Sequence, residues 1–174
     1  MDVRSAPAPL VGFFTVVRTV EQGLLGGLLL LNTQSRPLEF HCTAPVKPNR
    51  AQEILYGPTL LPYLYGEQIG RALLAKCAHA PVLIFTDSEP GLWLREVSDC
   101  PVICVPAPES AASILHRFKL GEVSAAISNR LGDEEANVTD LFAPFAMLVN
   151  PLEPFARIRE AIEEAQKVTA PRAA

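Results

Sequence analysis

Residues 80–106, APVLIFTDSEPGLWLREVSDCPVICVP, decide the fold. APVLIFTD (80–87) and PVICVP (101–106) are short, unbroken apolar runs bounded by proline and acid. A strand wetted on one face alternates apolar with polar residues. Unbroken runs of this length therefore predict strands covered on both faces, as in a parallel sheet. The crossover between them spans about fourteen residues, which meets the dozen or so that parallel neighbours require. Within it, PGLWLREVSDC predicts a short helix with Leu92, Val97 and Trp93 inward.

Working toward the N-terminus, VGFFTVVR (11–18) is rich in β-branched and aromatic residues and predicts a strand. A second strand runs from about Leu24 to Asn32, and NTQSRP reverses the chain into a third, PLEFHCT (37–43). The expectation is an antiparallel hairpin. Asn49, followed three residues later by Gln52, is a capping-box signature for a first helix ending near Tyr56. Gly57-Pro58 interrupts it. A longer helix should follow, from about Thr59 or Gly66 to Cys77, with Ile69, Leu73, Leu74 and Cys77 as its buried stripe.

Working toward the C-terminus, SAASILHRFK (110–119) reads as a helix and EVSAAIS (122–128) as either a third strand or more helix. The last helix should be capped by Asn150, with Pro151 at its first position and Glu153 completing the box. Leu152, Phe155, Ile158, Ile162 and Ala165 form its inner side, and Arg157, Arg159, Glu160, Glu163 and Glu164 its wet side. The predicted fold class is α/β. A mixed sheet joins an N-terminal antiparallel hairpin to a parallel βαβ unit, with helices on both faces. Residues 10–168 are expected to form one domain, with 1–9 a flexible arm and 169–174 a disordered tail.

Composition narrows the function classes. At 49 % hydrophobic and 20 % charged residues the chain belongs with compact globular proteins. A mean hydropathy of +0.20 implies either an unusually complete core or apolar surface covered by another chain. The net charge of −4 gives no general pull toward nucleic acid or anionic lipid. The longest apolar run, LLGGLLLL (24–31), is far short of the roughly 20 residues a spanning helix needs. Four cysteines without dense spacing fit a reducing compartment, so a cytoplasmic location is expected.

EFHCTAPVKPN (39–49) places a histidine beside a cysteine. Successive side chains on a strand point to opposite faces, so Cys42 belongs with Leu38 and Phe40 on the core side, and His41 with Glu39 on the other. The pair is then not a dyad, but His41 can meet a ligand on the outer face. Lys47 and Arg50 flank a helix start, where a small anion is favoured. Cys100 and Cys104 lie about 13 Å apart along a strand, too far to share one zinc. Cys77-Ala-His79 could join ligands from elsewhere in the fold, yet the sequence assigns no metal set. Ligands of doubly wound sheets gather beyond the strand carboxyl ends, a place held here by Asp87, Ser88 and Glu89. The competing reading is that Asp87 or Ser88 caps the helix starting near Pro90, and Ser110 the next. No glycine-rich phosphate loop or nucleophile elbow is present.

KLGEVSAAISNRLG (119–132) resembles the turn and recognition helix of helix-turn-helix repressors, with Ser124 as cap and Asn129 and Arg130 exposed. The resemblance implies DNA binding, although DEE at 133–135 supplies the wrong charge. The leading expectation is a non-catalytic protein acting through protein contacts or self-association, with nucleic acid not expected as a partner. It rests on the apolar excess, on Tyr56, Tyr63 and Tyr65 as exposed aromatics, and on the lack of a complete catalytic set. The alternative is a small-molecule enzyme using Asp87, Ser88 and Glu89, with Lys47 and Arg50 for an anionic substrate. Neither reading names a cofactor.

Overall fold

A computed structural model of the chain describes residues 7–111, 114–131 and 134–169. Most of the expected arm and tail, residues 1–6 and 170–174, lies outside the described residues. The α/β architecture is as expected. One mixed seven-stranded sheet has the order β3-β2-β1-β4-β5-β7-β6. Its strands are β1 (Val11–Thr19), β2 (Gly23–Leu31), β3 (Pro37–Cys42), β4 (Leu83–Thr86), β5 (Val102–Cys104), β6 (Leu115–Leu120) and β7 (Val123–Ser128). β1, β2 and β3 pair antiparallel, whereas β1 with β4 and β4 with β5 pair parallel. The two apolar runs of residues 80–106 thus supply adjacent central strands, each buried throughout.

Alternation along the strands sorts the apolar residues into two cores. On one face Phe13, Leu29, Phe85 and Ile103 pack under α4 (Glu135–Phe142) and α5 (Pro154–Thr169), through Phe142, Phe155, Ile158 and Ile162. On the other face Phe14, Leu28, Leu30 and Ile84 pack under Leu64, Ile69, Leu73, Leu92 and Leu94. These come from the helical run that follows α1 (Arg50–Tyr56) and from the 3-10 segment Glu89–Glu96. That run passes through α2 (Leu60–Pro62) and a π-helical stretch, Tyr63–Gly70, into α3 (Arg71–Leu74). Gly57 breaks it from α1, as the sequence implied.

β2 is the strand both layers press against. A Cβ at Gly26 would lie 2.1 Å from Ile69 Cγ2 on one face, and a Cβ at Gly27 would lie 2.4 Å from Ile158 Cγ2 on the other. Adjacent glycines on opposite faces let an isoleucine from each layer reach the sheet backbone.

Several local expectations are corrected. Residues 115–119 are strand β6, not helix: His116, Arg117 and Lys119 are partly or fully exposed between buried Leu115 and Leu120, an edge-strand pattern. The candidate recognition helix is strand β7, joined to β6 by a tight turn at Gly121, so no helix-turn-helix exists there. Asn150 caps only a turn, accepting from Leu152 N at 3.0 Å, and α5 begins at Pro154, leaving Leu152 and Ala165 exposed. In the 3-10 segment Leu92 and Leu94 are buried, whereas Trp93 and Val97 are half-buried. Among the described residues no helix is long and apolar enough to cross a membrane.

Replacing Gly26 or Gly27 by alanine is expected to lower stability by about 1–3 kcal/mol, because neither isoleucine can retreat without opening a void. Urea unfolding should show a lower midpoint with an unchanged slope. Wild-type midpoints for both variants would contradict this packing.

Candidate functional site

β1 and β4 run parallel with Phe14 opposite Thr86, so Thr15, midway along β1, comes beside Asp87 at the carboxyl end of β4. Asp87 shares the α5 face with Phe85. Thr15 Oγ1, almost completely buried, donates to Asp87 Oδ1 at 2.8 Å, and Arg159 on α5 donates to Oδ2. The Asp87 side chain is 13 % exposed and that of Arg159 48 %, so the pair is half-sunk at the sheet rim. Ser88 is extended and starts the 3-10 segment, its carbonyl accepting from Gly91 N at 3.0 Å, but its hydroxyl makes no cap. Glu89 follows in the first turn. Burial, with the charges of Asp87 and Glu89, pushes the neighbouring Cys104 thiol up to about 12, so Cys104 is an inert thiol. Burial raises the Tyr65 phenol; the nearby Arg18 charge opposes that rise and Asp87 adds to it.

Lys47 and Arg50 have different immediate surroundings. Arg50 is exposed and paired with Glu53 at 3.1 Å. Lys47 instead lines a cavity of about 330 Å³ with Arg18, Glu53 and Leu64, at the end of the β1–β2 hairpin. The amides at the start of α1 are taken by its own capping box, since Asn49 accepts from Gln52 N at 2.8 Å and Gln52 accepts from Asn49 N at 3.0 Å. Sequence reasoning did not single out Arg18. Its signal was an arginine at the carboxyl end of a buried strand.

His41 and Glu39 share a face of β3, and His41 Nε2 lies 2.8 Å from Glu39 Oε2. The Leu38 side of the strand is less covered than expected: Leu38 is 53 % exposed, because β3 is an edge strand that α5 covers only in part. The Glu39 side is the one that is roofed, by the turn after α3, and the Glu39 side chain is only 10 % exposed. Its carboxylate accepts from the backbone amides of Ala78 (3.0 Å) and His79 (2.8 Å), and His79 Nδ1 lies 2.5 Å from Oε1. Cys77 completes the group, and the ligand atoms of Glu39, His41 and Cys77 all lie within 4.8 Å of one another. The hydrogen bond with His41, helped by the two amides and His79, holds the Glu39 carboxyl at about 2 against the opposing effect of burial. Burial and the Glu39 charge push the Cys77 thiol up to about 11. Cys77 and His79 also line a cavity of about 290 Å³ with Ser98, Asp99 and Cys100. Sequence reasoning noted both halves of this cluster and had no means of joining them.

A scan against protein-family models finds no match, and a search of curated proteins finds none. Among solved structures, human ENDOV is similar with a TM-score of 0.45 and 11 % identity, over 91 % of this chain and 86 % of that one. Ciona intestinalis endonuclease V, in complex with a 23mer DNA containing an inosine followed by a ribo-adenosine, is similar with a TM-score of 0.34 and 15 % identity, over 59 % of this chain and 47 % of that one. Two expectations are corrected. The reading of a non-catalytic protein-binding or self-associating chain, with nucleic acid not expected, is not matched by these neighbours, which are endonuclease V proteins, one of them solved on DNA. Part of its structural motive also fails: Tyr65 is buried, and Tyr56 and Tyr63 stack on each other at 4.5 Å, although Leu55, Met147 and Leu148 stay exposed.

Because the Glu39 carboxyl is depressed in the fold, its contribution to stability is complete above its ordinary value of 4.5 and is lost as pH falls toward about 2. Denaturation followed from pH 6 to about 2 should show stability falling through that window, and Glu39→Gln should flatten the fall. A parallel profile for the variant would show that the carboxylate is not held as described.

Proposed function

We propose that the chain is an enzyme whose reacting centre lies at the carboxyl end of β4, beside the middle of β1, and that it acts on a phosphate-bearing substrate, small or polymeric. The observation that carries this is Asp87 bridged between buried Thr15 and the more exposed Arg159. A carboxylate can accept a proton; a guanidinium grips phosphate through two parallel donors. In the resting site each neutralises the other. A phosphate that takes the Arg159 donors frees Asp87 Oδ2, while Thr15 still holds Oδ1 in place. Substrate binding itself then releases the base, which takes a proton from the attacking water or hydroxyl as its oxygen bonds to phosphorus, the P–O bond opposite breaks, and the leaving oxygen departs with the electron pair and is protonated from solvent.

Binding of nucleoside triphosphate and of a labelled single-stranded oligonucleotide, followed by calorimetry and anisotropy, tests this. Arg159→Ala should weaken binding about tenfold or more, since charge-assisted hydrogen bonds contribute roughly 1.5–3 kcal/mol. Asp87→Asn should leave binding unchanged or tighter, because it removes the competitor for Arg159, yet abolish turnover. Equal binding by wild type and Arg159→Ala, or full turnover by Asp87→Asn, would sink the proposal.

A further inference from the structure

We propose that Glu39, His41 and Cys77 form a binding site for a zinc-class divalent ion, at the edge of the sheet and away from Asp87. A thiol, an imidazole and a carboxylate are the donor types zinc takes, and three protein ligands with one open position is the arrangement of sites that hold water or substrate. Around one tetrahedral zinc such donor atoms stand about 3.3–3.8 Å apart, given bond lengths of about 2.0–2.3 Å. The three atoms already lie within 4.8 Å of one another, and His41 Nε2 is 2.8 Å from Glu39 Oε2. Side-chain rotations of under an ångström or so bring all three onto one ion.

The surroundings favour that set over a simple hydrogen-bond hub. Each carboxylate oxygen has two lone pairs, and the Ala78 and His79 amides use one on each. Glu39 therefore stays oriented when its remaining lone pair turns from His41 to the ion. His79, bonded to Oε1 rather than to the triad, acts as a positioning residue for the carboxylate. Glu39 and the Cys77 thiolate together balance a dication. On binding the thiol proton leaves to solvent, which the burial of Cys77 otherwise opposes, and the proton that His41 Nε2 donates to Glu39 leaves as well, so that the neutral imidazole keeps its proton on Nδ1. The cavity lined by Cys77 and His79 gives a fourth ligand a route to the ion. Zinc, cobalt and nickel all suit this mixed donor set, whereas magnesium and calcium prefer all-oxygen shells.

The test uses the full-length chain, reduced and freed of metal by a chelator, titrated with Co²⁺ and followed by absorption. One equivalent should give the strong visible bands of tetrahedral cobalt and a near-ultraviolet thiolate-to-cobalt band, and Zn²⁺ should displace both. Cys77→Ser should abolish the thiolate band. His79→Asn should weaken Zn²⁺ binding about 10- to 100-fold, and Cys77→Ser and His41→Ala by more. Cys42→Ala, on the opposite face of the same strand, should leave spectrum and affinity unchanged. Circular dichroism confirms that each variant folds, and Zn²⁺ should raise the melting temperature of the wild type but not of Cys77→Ser. No cobalt bands at one equivalent, bands indifferent to Cys77→Ser, or a wild-type melting temperature indifferent to Zn²⁺ would overturn the site.

Discussion

The structure depends on two glycines in the middle of one strand. Gly26 and Gly27 sit at the centre of β2, and each gives up its side-chain volume to an isoleucine arriving from a different layer. Interiors tolerate neither voids nor overlaps of a methyl group, so the distance between sheet and helices on both faces is set here. α5 approaches because Ile158 can reach Gly27, and that approach places Arg159, one residue on, over the rim of the sheet beside Asp87. Ile69 against Gly26 fixes the run that ends at Cys77, which is what brings the Cys77–His79 turn over Glu39. Both ionic centres are consequences of how closely two layers press on one strand.

The two centres use acid groups differently. Asp87 is balanced by one arginine and one hydroxyl, an arrangement that a competing anion can open. Glu39 is held by two amides and two imidazoles, a set that fixes its orientation whatever else approaches. The basic residues are likewise divided: Lys47 and Arg18 share a cavity, while Arg50 is spent on Glu53.

Much of the architecture was legible in the chain. The runs at 80–87 and 101–106 form parallel central strands, because a short segment apolar on every side must be covered on both faces. The Asn49 box forms as its residues imply, because it is a purely local device. Residues 115–119 are ambiguous in the sequence because LHRFK fits a helix as well as an edge strand over so few positions, and only pairing with β7 decides between them. Asn150 is no helix cap because Pro154, not Pro151, opens the helix. The strand-end position of Asp87 follows from βαβ logic. Its arginine partner does not, because residues 72 apart in sequence meet only through tertiary packing. The same gap hides the cluster around Glu39, whose members lie about 40 positions apart.

Arg157 carries one more consequence. Besides Glu153, it donates to the carbonyl and hydroxyl of Ser35, in the turn between β2 and β3, 122 residues earlier in the chain. α5 is thus latched to the β2–β3 hairpin by a contact of very long sequence separation. Such contacts form late, because the whole intervening loop must close before they reward it. During synthesis the N-terminal hairpin leaves the ribosome long before its covering helix exists, with Phe13, Leu25 and Leu29 bare on one side. A hairpin with one apolar face still bare is open to misassembly in that interval.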